Sequence, residues 1–417
     1  MRRRALLALV SAGAAGIWLW HSEHRLVWPY RNTLQHWLAS KLGLLGSPEL
    51  PGSGALLGML RTPEGGPIAG GRVLVAASDG TEFFGDSAFD GSFEVRGIPA
   101  GRYVVAAGAP GRADAFPGGP LGIDVPERGS ASLDVELAPF EPPAVLPAQE
   151  LELRGPEEFS TDVPVRASAL RWRIRYRAGA REGPTAFCYA PQAEGGVLPA
   201  LLAVYPGPAE DWQNVSLALA AAGFAVVATS PVHELEVERD VDELCRLAML
   251  VEAGRLPRAR PGALALLGGS YSGLHVARLA VRHPGLARAI VLLGPPTDLF
   301  VLRRELEAGR FAPPFDLDRA LIALGLPSRE PQRFWRWSSR HHAAELGAPL
   351  LLVHSLEDKV VPVDQSRLLA AELERLGRPC ELHLVEGLGH YLRDTVRSPE
   401  VEALYELTVE FLRRELR

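Results

Sequence analysis

The stretch Ala263-Leu264-Ala265-Leu266-Leu267-Gly268-Gly269-Ser270-Tyr271-Ser272-Gly273 decides how the chain is read. Its first five residues are small or apolar and read as a buried strand. The glycines then break the strand, and Leu274, Val276, Ala277 and Leu279 resume at helical spacing. Strand, tight turn and helix in that order lift a serine above the sheet, beside the backbone N–H groups of a helix N-terminus, which is where a nucleophile has to sit. The same kind of turn is common in parallel α/β proteins, where its serine only caps the following helix. The rest of the chain has to choose between the two.

Strands and helices alternate from Glu150 to Arg417. Strands are expected at 169–176, 185–190, 199–205, 224–229, 289–293, 349–354 and 381–385, and helices at 211–222, 237–253, 364–376 and 399–415. The alternation predicts an α/β domain over 150–417, with a mainly parallel sheet covered on both faces and ligands at the carboxyl ends of its strands.

A serine hydroxyl needs a base and a group to orient that base. In the hydrolase version of this fold they follow the nucleophile in the order acid, then histidine. Leu350-Leu351-Leu352-Val353-His354 leads into Ser355-Leu356-Glu357-Asp358, which places Asp358 in the loop leaving a buried strand, with Glu357 its nearest competitor. Leu382-His383-Leu384-Val385 leads into Glu386-Gly387-Leu388-Gly389-His390, which places His390 in the next such loop. His354 and His383 fall inside strand patterns and read as packed or surface residues. Ser270, Asp358 and His390 are the expected catalytic set.

The oxyanion of the tetrahedral intermediate also needs donors. One is the backbone N–H of Tyr271. The other is expected in the loop Tyr205-Pro206-Gly207-Pro208, where two prolines have no N–H to give, so the phenol of Tyr205 is the better candidate. Specificity is expected in the aromatic-rich insert 298–346. Its Phe300, Phe311, Phe315, Phe334, Trp335 and Trp337 read either as lining an apolar substrate pocket beside Tyr271, with Phe334 and Trp335 foremost, or as pinning a helical cap to the domain.

With these residues in place, the domain resembles the catalytic domain of the prolyl oligopeptidase family of serine peptidases, an α/β-hydrolase. GGSYSG around Ser270, PLLLVHSLEDKVVPVDQS around Asp358 and VEGLGHY around His390 carry the likeness. VYPGP resembles the dipeptidyl-peptidase branch, in which a tyrosine at the position of Tyr205 donates its hydroxyl to the oxyanion. Ser272 and Ser355 stand where the family has glycine. The residues ahead of 150 are too few for the family's β-propeller, so dipeptidyl-peptidase specificity is not implied.

Between Ala55 and Pro139, short alternating runs are separated by Gly, Pro and Asp clusters, which predicts an all-β sandwich over 55–138. Its Leu57-Gly58, Asp90-Gly91-Ser92-Phe93 and Gly97-Ile98-Pro99-Ala100-Gly101-Arg102-Tyr103 resemble the carboxypeptidase regulatory-like module, in which such residues shape turns and core. A proline-rich linker is expected at 139–149. Arg2, Arg3 and Arg4 ahead of the uncharged run Ala5 to Trp20 read as a signal anchor or a cleaved signal peptide over 1–21. A membrane-proximal helix or linker is expected over 22–54, with the rest of the chain facing the periplasm or exterior, or secreted after cleavage.

With 417 residues, more than one domain is expected, and 47% apolar with 23% charged residues is the composition of a folded protein. A net charge of −6 and the lack of a basic stripe give nucleic acid no foothold. Cys188, Cys245 and Cys380 form no CxxC pair and write no zinc or redox framework; no metal or cofactor is expected. The reading is a serine hydrolase acting on peptide, amide or ester bonds. Its alternatives are a carboxylesterase without peptidase activity and an envelope binding protein with an inactive hydrolase domain.

Overall fold

The computed structural model describes residues 52–118, 122–193, 195–233, 236–310, 324–390 and 397–417. The expected signal segment, nearly all of 22–54, and Phe311 and Phe315 lie outside them. Among the described residues no helix is long and apolar enough to cross a membrane.

The first unit consists of β1 (Ser53–Arg61), β2 (Arg72–Ala76), β3 (Glu82–Asp86), β4 (Ser92–Ile98), β5 (Gly101–Gly108), β6 (Ile123–Val125), β7 (Arg128–Ser132) and β8 (Val135–Glu136). β1 starts two residues before the expected boundary at 55, because Ser53 and Gly54 pair with Arg128 and Gly129. The strands form two sheets, ordered β4-β1-β7, with β8 also on β1, and β3-β2-β5-β6. Strand alternation explains how they pack. Val73 and Val75 of β2 and Val105 and Ala107 of β5 face the sister sheet. Their neighbours Leu74, Ala76, Val104 and Ala106 point the other way and join the core of the second unit. The sheet β3-β2-β5-β6 is therefore covered on both faces, which is why Arg72–Ala76 reads as an unbroken buried run.

Residues 139–149 hold no helix or ladder strand. Beyond them run β9 (Glu150–Thr161), β10 (Ala167–Ala178), β11 (Arg181–Glu182), β12 (Ala186–Pro191), β13 (Leu198–Val204), α1 (Gln213–Ala221), β14 (Ala225–Thr229), α2 (Val237–Glu252), β15 (Ala259–Gly269) and α3 (Tyr271–Arg282). They are followed by β16 (Ala289–Leu293), α4 (Leu299–Glu307), α5 (Pro331–Trp337), β17 (Leu350–Ser355), α6 (Asp364–Arg375), β18 (Cys380–Val385) and α7 (Pro399–Glu415). A ten-stranded sheet results, ordered β11-β10-β12-β14-β13-β15-β16-β17-β18 with β9 on β10. The strands from β14 to β18 in that order pair in parallel, and β9 to β12 form the antiparallel part.

The order of the strands places the site. From β13 the chain passes through α1 to β14 on one side, and through α2 it returns to β15 on the other side of β13. Connections leave the carboxyl ends of β13 and β15 in opposite directions, and the crevice that opens there is where open α/β sheets bind ligands. Tyr205 follows β13 directly, and Ser270 follows β15.

Candidate active site

Ser270 has φ 51° and ψ −131°, and among the described non-glycine residues only Arg258 shares its positive φ. A left-handed serine between a strand and a helix is a strained turn, the kind of conformation that persists only where the surroundings hold it. Here its own N–H donates to the Leu293 carbonyl at 2.8 Å. Gly268 is needed because a Cβ there would lie 2.7 Å from Val276 Cγ2. Ser272, by contrast, fits in place of glycine. Buried at the back of the turn, its Oγ lies 2.6 Å from the Val204 carbonyl and 2.8 Å from that of Gly269, and accepts from Gly269 N–H at 3.1 Å. The extra hydroxyl ties the turn to the last residue of β13.

The three loops meet. Ser270 Oγ lies 2.8 Å from His390 Nε2, and His390 Nδ1 lies 2.8 Å from Asp358 Oδ2. Asp358 as a carboxylate can only accept, so Nδ1 carries the proton and Nε2 is left to accept from the serine. His390 is aimed by a turn in which Gly387 and Gly389 both take positive φ, 82° and 58°. Burial acts to raise the Asp358 carboxyl, but hydrogen bonds from His354 and His390, the His390 charge and the Val361 N–H outweigh it and hold the group well below the usual carboxylate range.

The competitors sit elsewhere. Glu357 accepts from Ser355 Oγ at 2.9 Å and from Gly387 N–H at 3.0 Å, so it clamps the acid loop to the histidine loop. The second glycine replacement, Ser355, thus also supplies a cross-link. His354, read from sequence as a packed or surface strand residue, is packed and also touches the acid. Its Nε2 lies 3.2 Å from Asp358 Oδ2 and 3.0 Å from the Val361 carbonyl, and its Nδ1 lies 2.8 Å from Ser366 Oγ. The signal was the i, i+4 spacing of His354 and Asp358 across a strand end.

Tyr205 is buried, and its ring stacks on Trp212 with centroids 5.0 Å apart and planes 6° from parallel. Its hydroxyl shares a 2.8 Å hydrogen bond with Ser216 Oγ of α1. Burial pushes the phenol far above its ordinary value, against the smaller opposing effect of Ser216. A cavity of about 310 Å³ opens between these groups and α7, touching Tyr205, Gly207, Ser270, Tyr271 and His390.

Residues 241–417, which contain Ser270, Asp358 and His390, match the family model described as prolyl oligopeptidase family. This part of the chain, 177 of the 417 residues, is similar to that family. Among solved structures, an esterase shares the α/β-hydrolase fold. An esterase from the fungus Rhizomucor miehei is 16% identical with a TM-score of 0.50, over 63% of this chain and 86% of that one. An acylaminoacyl peptidase from Pyrococcus horikoshii is 18% identical with a TM-score of 0.49, over 81% of this chain and 60% of that one. No curated relative matches.

The structure corrects one expectation. Phe334 and Trp335 do not line the cavity. Both are buried at 1% exposure in the core shared with the sandwich, together with Phe300 and Trp337. Trp335 stacks on His341 at 5.5 Å and closes against Gly108, where a Cβ would lie 3.0 Å from the indole. The insert is drawn to this seam by charge as well as by apolar area. Arg340 Nη1 lies 2.7 Å from Glu82 Oε1 of β3 and 2.6 Å from Asp298 Oδ2. Arg336 pairs with Asp114 at 2.7 Å, Arg72 of β2 with Glu372 of α6 at 2.7 Å, and Arg375 with Asp86 at 2.7 Å.

Among the described residues, Glu82, Asp298 and His341 are the group placed closely enough to share a metal ion. Arg340 already lies between the two carboxylates, so a cation is supplied by the protein itself. Burial, and then the charge of Asp298, push the Glu82 carboxyl up against the pull of His341 and Arg340. The three cysteines are thiols, and burial pushes Cys188 up to about 12.

Proposed function

We propose that the chain cleaves ester or amide bonds through an acyl-serine intermediate, with Ser270 as nucleophile, His390 as proton carrier and Asp358 as the carboxylate that orients the imidazole. The observation that carries this reading is the unbroken relay of two 2.8 Å contacts from Ser270 Oγ through His390 to Asp358.

Ser270 Oγ attacks the substrate carbonyl carbon while its proton passes to His390 Nε2, and the imidazolium lies against the Asp358 carboxylate. Collapse of the tetrahedral intermediate breaks the bond to the leaving group, which takes the proton from His390 and departs as an alcohol or amine. Water then gives a proton to His390 and attacks the acyl carbon, and the serine leaves with that proton as the acid is released. The developing oxyanion is held by Tyr271 N–H, at the start of α3, and by the Tyr205 hydroxyl. If Ser216 donates in its contact with Tyr205, the phenolic proton is left for the substrate oxygen, and burial keeps that phenol protonated.

The cavity's modest volume and mostly apolar walls favour a second reading within the same chemistry, a carboxylesterase without peptidase activity. Intact acid, base and nucleophile loops speak against an inactive binding protein. The triple arginine ahead of the uncharged run 5–20 supports export with a membrane tether, or secretion after cleavage. The test is turnover of a panel of aryl esters and aminoacyl anilides. Ser270→Ala is expected to lower kcat by about five to six orders of magnitude with an unchanged circular dichroism spectrum. Retention of most of the activity would remove Ser270 from the mechanism.

A further inference from the structure

The cavity beside Ser270 has walls from two helical regions on one face of the sheet. Trp212, Val215 and Leu219 stand on one side, Val401 and Leu404 on the other, and Leu293 near the elbow. Asp211 is the one carboxylate on its lining; no lysine or arginine of the described residues reaches it. The stacked pair Tyr205 and Trp212 makes one wall rigid. A volume of about 310 Å³ lies at the small end of the roughly 300–1,000 Å³ typical of ligand cavities, enough for one side chain or tail and not for several residues of a peptide.

We propose that this cavity is the acyl pocket and that it selects esters and amides of neutral, apolar acids of short to medium length, alkanoyl or arylalkanoyl. The proposal rests on Ser270 and His390 acting as set out above. The acyl group stays attached to Ser270 until water releases it, so an enclosed wall contributes to both halves of the reaction, whereas the leaving group takes its proton at His390 and must exit. A carboxylate carried on the acyl chain would enter apolar surroundings with no lysine or arginine of the described residues to pair with and with Asp211 nearby, and is rejected. Substrates of this class are the products of reactions that condense simple carboxylic acids with alcohols or amines.

The experiment compares p-nitrophenyl acetate, butyrate, hexanoate, octanoate and dodecanoate, together with mono-p-nitrophenyl succinate, and a second series of acetates whose leaving alcohol lengthens instead. The expected result is a kcat/KM that rises roughly tenfold or more from acetate to hexanoate and falls again by dodecanoate, with succinate at least roughly tenfold below butyrate. Leu404→Trp, or Val215→Trp from the opposite wall should the first variant not fold, is expected to reverse the order so that acetate becomes the best ester. A flat acyl profile, equal losses on every ester in a folded variant, or chain-length dependence confined to the alcohol series overturns the pocket assignment. Labelling by a fluorophosphonate separates the two levels. An adduct on Ser270 with a flat acyl profile leaves the nucleophile standing and removes the pocket, while absence of both adduct and turnover removes the nucleophile and the pocket with it.

Discussion

On one face of the ten-stranded sheet, α1 and α7 leave about 310 Å³ of apolar space beside Ser270; on the other, the sandwich is pressed against α5 and α6 and the contact is closed by ion pairs. Both faces are rich in aromatic and aliphatic side chains, yet only one binds a ligand in this account. The difference lies in what accompanies the apolar residues. Phe334 and Trp335 are interleaved with Arg336, Arg340 and His341, whose partners Asp114 and Glu82 belong to the sandwich, so the aromatics are carried into a contact that admits no substrate. Among the described residues no ion pair ties the segments of Trp212, Val215 and Leu404 to the sandwich, and these side chains line the cavity. Aromatic density marks an apolar contact; the charges beside it decide whether protein or ligand fills that contact.

The separation of the two faces can be broken at the seam. Arg340→Met leaves Glu82 and Asp298 buried without their shared cation, and the expected loss is about 3–5 kcal/mol of stability, read as a lowered Tm. The acyl-chain profile of the folded fraction should match wild type, and a shifted profile would mean that the seam and the cavity are not independent. A smaller effect is expected at His354, which contacts the acid from the seam side of the site. His354→Leu removes a 3.2 Å polar contact with the acid, and a loss of about 1.5–3 kcal/mol is expected in kcat/KM. Because Asp358 is held below its ordinary value, its contribution to stability is complete above the unfolded carboxylate range near about 3.9 and is lost as pH falls through the lower folded value. Losing His354 should therefore move the acid limb of stability and of activity to higher pH; a loss of kcat with an unmoved limb would make His354 a packing residue only. The smallest effect belongs to Ser272→Ala, about 1 kcal/mol in stability with a few-fold change in kcat, since one hydroxyl to the end of β13 is lost and the turn survives. A larger fall in kcat than in stability would show that this hydroxyl sets the distance between nucleophile and oxyanion loop.

Much of the domain was legible in the sequence because its signals are local. A buried strand followed by a glycine turn, or an acid or histidine one step past a strand end, reads the same before and after folding, and Ser270, Asp358 and His390 are brought together accordingly. Two kinds of feature were not legible. The role of Phe334 and Trp335 depends on Glu82, Asp86 and Gly108, more than two hundred residues earlier, and no local pattern reports such a pairing. The contact of His354 with Asp358 is hidden by strand periodicity, which leaves the histidine packed or at the surface and says nothing of which atom its ring meets. β9 was also missed, because its exposed, acid-rich sequence lacks the apolar alternation that the pairing with β10 does not need.

Whether Ser270 is the activated nucleophile is read by intact-mass analysis after treatment with a fluorophosphonate. One covalent adduct per chain, mapped to the peptide carrying Ser270, absent in Ser270→Ala and strongly slowed in His390→Ala, is the predicted result. An adduct that persists at full rate in Ser270→Ala, or that maps to another residue, would remove Ser270 as the nucleophile.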